Sequence, residues 1–405
     1  MKKIVLLYSQ ANFVWTSMEE IIPYIKRLWE DYGQQRGCEV KVITVDEGRP
    51  SLFRQELFSC DLIIVSCFNG KMAQWLRIIR DSLGINAPWG FYLHNQATLG
   101  LWPLYELKIG ELLRQDDIFI GTCEGDKLSL DLCFENIQFF LQPFSSPDVE
   151  KIEIIPKENI LDFVFIGRIS RQKNLEQLIK GFDLLIKEDK REFQLHFYGK
   201  EDYLDYPNLG LKSEKSYLEE LKSLVSKLGR DQNIHFHGFC PREEIAKKWR
   251  NKDFVFCSPS FHSDENFGMA AFMALRMGAP LVLSDWGGHK NYNEKLSSGV
   301  FTFPIYHNGE SLECDPQEVA ENLKLSLQAK YSETDFFSYS QILSCMQNFF
   351  KEGKGSREQL KLTEFGKKLL AQREELKKDN PQKAFHSLSD PLLMQFYRCY
   401  GALEK

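Results

Sequence analysis

Short runs of β-branched and aromatic residues recur along the chain, each separated from the next by a longer segment whose apolar residues fall three and four apart. In the first part these runs are KIVLLYS, EVKVITV, LIIVSCF, WGFYLHN and DIFIGTC, and MEEIIPYIKRLWEDYG between the first two has helical spacing. Strands alternating with helices favour right-handed crossovers and a parallel, doubly wound α/β sheet. The rhythm lapses at QPFSSPDVEKIEIIPKEN, where three prolines and two serines mark a linker. It restarts with LDFVFIG, FQLHFYG, NIHFHGF, DFVFCSPS and APLVLSD. The pattern therefore predicts two similar halves, residues 1–150 and 151–331, with a cleft between them. Ligands of open α/β sheets bind beyond the carboxyl ends of strands, so chemistry is expected just after each run. Residues 332–405 read as a charged helical segment packing on the body, with EFGKKLLAQREELKKDN as a solvated face and DPLLMQFYRCY as a docked end.

Composition adds limits. A chain of 405 residues exceeds what one hydrophobic core serves, and 43% hydrophobic with 27% charged residues is a folding composition. A formal charge of −6 gives no electrostatic case for nucleic acid. The start, MKKIVLLYSQ, reads as a first strand and not as a secretory leader, and no apolar run approaches the roughly 20 residues that span a bilayer. Ten scattered cysteines without a CxxC pair point to reduced thiols and a cytoplasmic setting. Lys26, Arg27, Arg77 and Arg80 are candidates for a basic face in peripheral membrane contact, provided the fold brings them together.

Three constellations fall just after strands. In FVFIGRISRQKN, Arg168 and Lys173 flank the start of a helix, where free N–H groups already favour anions. They read either as a diphosphate seat or as surface cations on a loop. In FCSPSFHSDENFGMAAFMALRMG, a loop carrying Asp264 and Glu265 precedes an apolar helix starting near Gly268. A carboxylate there can accept bonds from sugar hydroxyls, or simply cap the helix for about 1 kcal/mol. His94 ends the WGFYLHN run. A lone histidine is usually structural, and its place at a strand end is what singles it out.

Taken in order, GRISRQKN, HFHGF, SPSFHSDENFG and SDWGGH resemble the GT-B glycosyltransferases of retaining family 4, from about Leu161 to Gly288. The resemblance implies two Rossmann-like domains facing across a cleft, with C-terminal helices. It implies transfer of a hexose from a nucleotide-diphospho-sugar to a glycan or glycolipid acceptor. Arg168 and Lys173 would neutralise the diphosphate, and Glu265 would contact the donor sugar together with the backbone of Asn266, Phe267 and Gly268. Phe239 lies where the family cradles the nucleobase, and His94 would approach the donor sugar from the first domain. Cations on the leaving diphosphate make a metal unnecessary, so no cofactor is expected, and the chain has no D-x-D pair to hold one.

The pattern breaks twice. The family's second glutamate, which holds the ribose, is replaced by Met273, with His262 or Asn266 as nearby polar substitutes. Its paired glycines after the first strand are replaced by SQANFVWTSMEE, with bulky Phe13 and Trp15. These departures motivate a rival reading: a noncatalytic GT-B subunit binding a glycan or a partner transferase. The retained Arg168, Lys173, Glu265 and His94 favour the enzyme.

Overall fold

The computed structural model describes residues 1–9, 17–94, 101–155, 160–202, 215–250, 252–261, 265–349 and 356–403, so Phe13, Trp15, His262 and Asp264 lie outside it. The chain divides into two compact units, Met1–Glu150 with Phe336–Ala371, and Lys151–Asp335 with Gln372–Lys405. The C-terminal stretch expected as one segment is thus shared between them.

In the first unit the strands are β1 (Lys3–Tyr8), β2 (Glu39–Thr44), β3 (Leu62–Val65), β4 (Trp89–Tyr92), β5 (Ile118–Gly121) and β6 (Gln138–Leu141). They form one parallel sheet in the order β2-β1-β3-β4-β5-β6. Central strands β3, β4 and β5 are buried throughout, because a parallel sheet is covered on both faces and its strands read as unbroken apolar runs. The expected first helix spans Met18–Arg36 and buries Ile21, Ile22, Ile25, Leu28, Trp29 and Tyr32, a stripe at helical period.

Arg80 does not join a basic face. Its guanidinium donates to both Asp117 carboxylate oxygens, at 2.7 and 2.9 Å, and lies 3.4 Å from the centre of the Trp89 ring. Burial of that fork requires a planar, fully satisfied acceptor, which Asp117 supplies.

The second unit opens with β7 (Ile152–Ile154), which pairs antiparallel with Ser332–Thr334. Its main sheet contains β8 (Asp162–Ile166), β9 (Gln194–Tyr198), β10 (Ile234–Phe236), β11 (Phe254–Ser258), β12 (Leu281–Ser284) and β13 (Val300–Phe303). All are parallel, in the order β10-β9-β8-β11-β12-β13. This is the dinucleotide-fold order, with its reversal between β8 and β11. Within this unit the Pro391–Tyr400 helix docks on Trp286, with Tyr397 edge-on at 5.5 Å and Tyr400 stacked at 6.3 Å. No described helix is long and apolar enough to cross a membrane.

Candidate functional site

Crossovers leaving β8 and β11 run to opposite sides of the second sheet, which opens a crevice at the carboxyl ends of these two strands. Arg168 and Lys173 follow β8, and Ser260 and Glu265 follow β11, so the topology brings the two sequence constellations to one place. The link is direct. Lys173 Nζ donates to Glu265 Oε2 at 2.5 Å and to Ser260 Oγ at 3.0 Å. Lys173 reaches there because a short 3-10 turn, Arg171–Lys173, stops at Asn174 in the left-handed conformation (φ 55°) before the Leu175–Glu188 helix starts.

The capping reading of Glu265 fails. The Met269–Leu275 helix is capped by Gly268 without a side-chain bond, and the Glu265 carboxylate is committed to Lys173. Burial alone would raise the Glu265 carboxyl, but the Lys173 ammonium outweighs it, and Glu265 is held well below the usual carboxylate range. Lys173 is lowered by burial, with Arg168 adding to the effect and Glu265 opposing it. Within the pair each partner favours the charged form of the other.

Arg168 is also engaged. It is ion-paired with Asp202, which stands shortly after β9 and whose side chain is 12% exposed. Position after a strand would have flagged Asp202 by the same logic that flagged Arg168.

The paired glycines of SDWGGH prove to be a matter of backbone clearance. Gly288 N donates to Glu265 O at 2.6 Å. A Cβ on Gly287 (φ 53°) would stand 2.4 Å from Glu265 O, and one on Gly288 2.1 Å from Asn266 O. Only glycine lets this turn press against the Glu265–Asn266 backbone and fix where the carboxylate starts. Gly287 N in turn donates to Tyr400 O at 2.9 Å, so the docked C-terminal helix braces the turn from behind.

His289 closes the SDWGGH motif. It is fully buried, with its ring against Gly268, and its Nδ1 lies 3.2 Å from Ser284 Oγ. The Ser284 hydroxyl hydrogen is already directed at Ser260 O, so the imidazole donates from Nδ1. A chain of contacts thus runs from Lys173 through Ser260 and Ser284 to His289, beneath the loop that carries Asn266, Phe267 and Gly268. Asn266 and Phe267 are buried, and Met273 is half-buried on the following helix.

Phe239 is 54% exposed after β10, with the Lys200 ammonium 4.8 Å from its ring centre. Beside it is a cavity of about 300 Å³ lined by residues that include Ile169, Phe197, Leu218, Phe236 and Gly238. Its aromatic wall is the Phe197–Phe236 stack, with centroids 4.9 Å apart. Ile169, in the cavity wall, follows Arg168 directly in the chain.

His94 belongs to the first unit, at the end of β4. Its Nε2 donates to Ser66 O at 3.0 Å, and its ring stacks with Tyr92 and Phe144. Burial pushes both His94 and His289 down to about 4 from the ordinary 6.5. Each folded value lies below its unfolded one, so the unfolded chain takes up protons first as the pH drops. The stability these neutral imidazoles provide is complete above pH 6.5 and is lost progressively down to about pH 4. The urea midpoint should therefore fall across that window, and a His94→Gln, His289→Gln variant should fall less. A wild-type midpoint that stays level to pH 5 would contradict the buried neutral state.

Comparison with known proteins bears on the fold and on what the chain is similar to. Residues 148–325 match the model of the family described as Glycosyl transferases group 1. Mannosylfructose-phosphate synthase of Agrobacterium fabrum is 29% identical over 123 residues, 30% of this chain and 25% of that protein. The chain thus spans about a quarter of the length of that curated relative. Among solved structures, Anabaena HepE in complex with UDP and glucose matches with a TM-score of 0.54 at 16% identity, covering 87% of this chain and 99% of that one. The lipopolysaccharide outer core galactosyltransferase WaaB, in apo form, matches at 0.52 and 15%, covering 86% and 97%. The fold is GT-B, and the chain is similar to group 1 glycosyltransferases.

Proposed function

We propose that the protein is a retaining hexosyltransferase that uses a nucleotide-diphospho-sugar, without a metal, to glycosylate a glycan or glycolipid-type acceptor. The observation that carries this reading is the Lys173–Glu265 pair, set beside Arg168 at the reversal point of the second sheet. Breaking the bond from an anomeric carbon to a diphosphate builds negative charge on the departing oxygen. Fixed cations in a water-poor site stabilise that charge more in the transition state than in the ground state. Arg168 and Lys173 supply them. Glu265, anchored through Lys173 and the glycine turn, is assigned the donor sugar's hydroxyls, with the backbone of Asn266, Phe267 and Gly268 beside it. The cavity near Phe239 is assigned the base, and its lining residue Ile169, next to Arg168 in the chain, supports that reading. His94 is assigned as the first unit's contribution to turnover. The leaving phosphate takes the acceptor's proton, so no separate base is required.

Met273 favours a second reading, a noncatalytic subunit, because it leaves the ribose without a carboxylate. One charge-assisted hydrogen bond contributes about 1.5–3 kcal/mol, which is roughly tenfold to a hundredfold in donor affinity. A thermal-shift screen of UDP-, GDP-, ADP- and CMP-sugars separates the two. One donor should stabilise the wild type and not Lys173→Ala, and Met273→Glu should bind it more tightly. No shift with any donor at millimolar concentration would favour the noncatalytic subunit.

A further inference from the structure

We propose that Asp202 is a counter-ion gate on the donor site: it occupies Arg168 until an incoming diphosphate displaces it, and so sets how tightly any diphosphate binds. The inference rests on the donor-site reading above and adds a residue which that reading does not contain.

The charge balance motivates it. After β8 stand three cations: Arg171 is paired with Glu220, and the two assigned to the donor are paired as Lys173 with Glu265 and Arg168 with Asp202. The two carboxylates are not equivalent. Glu265 is fastened through its backbone to Gly288 and its side chain belongs to the sugar-contacting loop, so it stays when donor arrives. Asp202 stands at the exit of β9, where its own N–H is bonded to Ile169 O at 3.0 Å, one residue from its partner. Its carboxylate therefore meets Arg168 by the position of its backbone.

An entering diphosphate brings two negative charges to a guanidinium that already holds one. Arg168 can serve a bidentate phosphate contact fully only when the Asp202 carboxylate turns away, since two anions on one fork repel each other. The affinity measured for a donor is then the affinity for the freed arginine, reduced by the strength of the Arg168–Asp202 pair.

The test is titration calorimetry of the full chain with inorganic pyrophosphate and, in parallel, UDP, GDP and ADP. Asp202→Asn should bind pyrophosphate and the preferred nucleotide roughly tenfold or more tightly than wild type. Asp202→Ala, which removes the hydrogen bond as well, should do the same, and both variants should melt within a few degrees of wild type. The gain should disappear in an Arg168→Ala background, because the gate acts only through that guanidinium. Equal or weaker binding in both Asp202 variants, with wild type binding normally, would overturn the gate and make Asp202 a positioning residue for Arg168. Absence of binding in wild type and variants alike would overturn the gate together with the donor-site reading.

Discussion

Lys173→Ala should lower turnover with the preferred donor by two orders of magnitude or more, the loss that follows removal of one transition-state contact. The structure adds a second cost that must be separated from the first. Lys173 is what keeps the nearly buried Glu265 ionised, and its removal leaves a carboxylate without its cation, a change that destabilises folds by about 3–5 kcal/mol. A Lys173→Met, Glu265→Gln double variant removes both charges together. It should recover most of the stability and none of the turnover. A double variant that is both stable and near wild type in rate would remove the pair from the reaction.

Asp117→Ala should cost about 3–5 kcal/mol in chemical denaturation, comparable to the loss at Lys173 but without any tie to donor binding. Asp117 accepts from both Arg80 nitrogens, from Trp89 N at 2.7 Å and from Arg114 N at 2.8 Å. Its truncation leaves a guanidinium of 3% exposure with the Leu112 and Ala87 carbonyls but no Asp117 charge, and it unties β4 from the segment that leads into β5. Donor affinity in the second unit should be unchanged. A loss below about 1 kcal/mol would mean that water reaches Arg80 readily, and that the pair resembles an exposed one.

Arg80 also shows why part of this protein was hard to read from its letters. A surface arginine and a buried one are the same residue in sequence, and only the fold brings Asp117 and Trp89 to it. Eight of the ten apolar runs were legible because they are interior strands, which in parallel sheets must be continuous, and the edge strands β2 and β10 were legible through their alternating apolar and polar residues. Gln138–Leu141 and Val300–Phe303 were missed: each is four residues long and lies at the outer edge of its sheet, where one neighbour is absent and the apolar demand is weaker. At the candidate site, Arg168, Lys173 and Glu265 were legible because each follows a strand and carries charge. Their pairing was not legible, since Lys173 and Glu265 lie far apart in the chain and either could have been satisfied locally. Asp202 and His289 meet the same positional criterion, Asp202 outside any motif and His289 at the close of SDWGGH, where sequence carries no sign of its burial against Gly268.

The bond between Gly287 and Tyr400 sets an order in time. Every strand of the second sheet is synthesised before the Pro391–Tyr400 helix, yet the turn under Glu265 takes one of its backbone bonds, Gly287 N to Tyr400 O, from that helix. On a growing chain the sheet can therefore assemble around an unfinished Glu265 turn, and an element made after the whole sheet is the one that braces it.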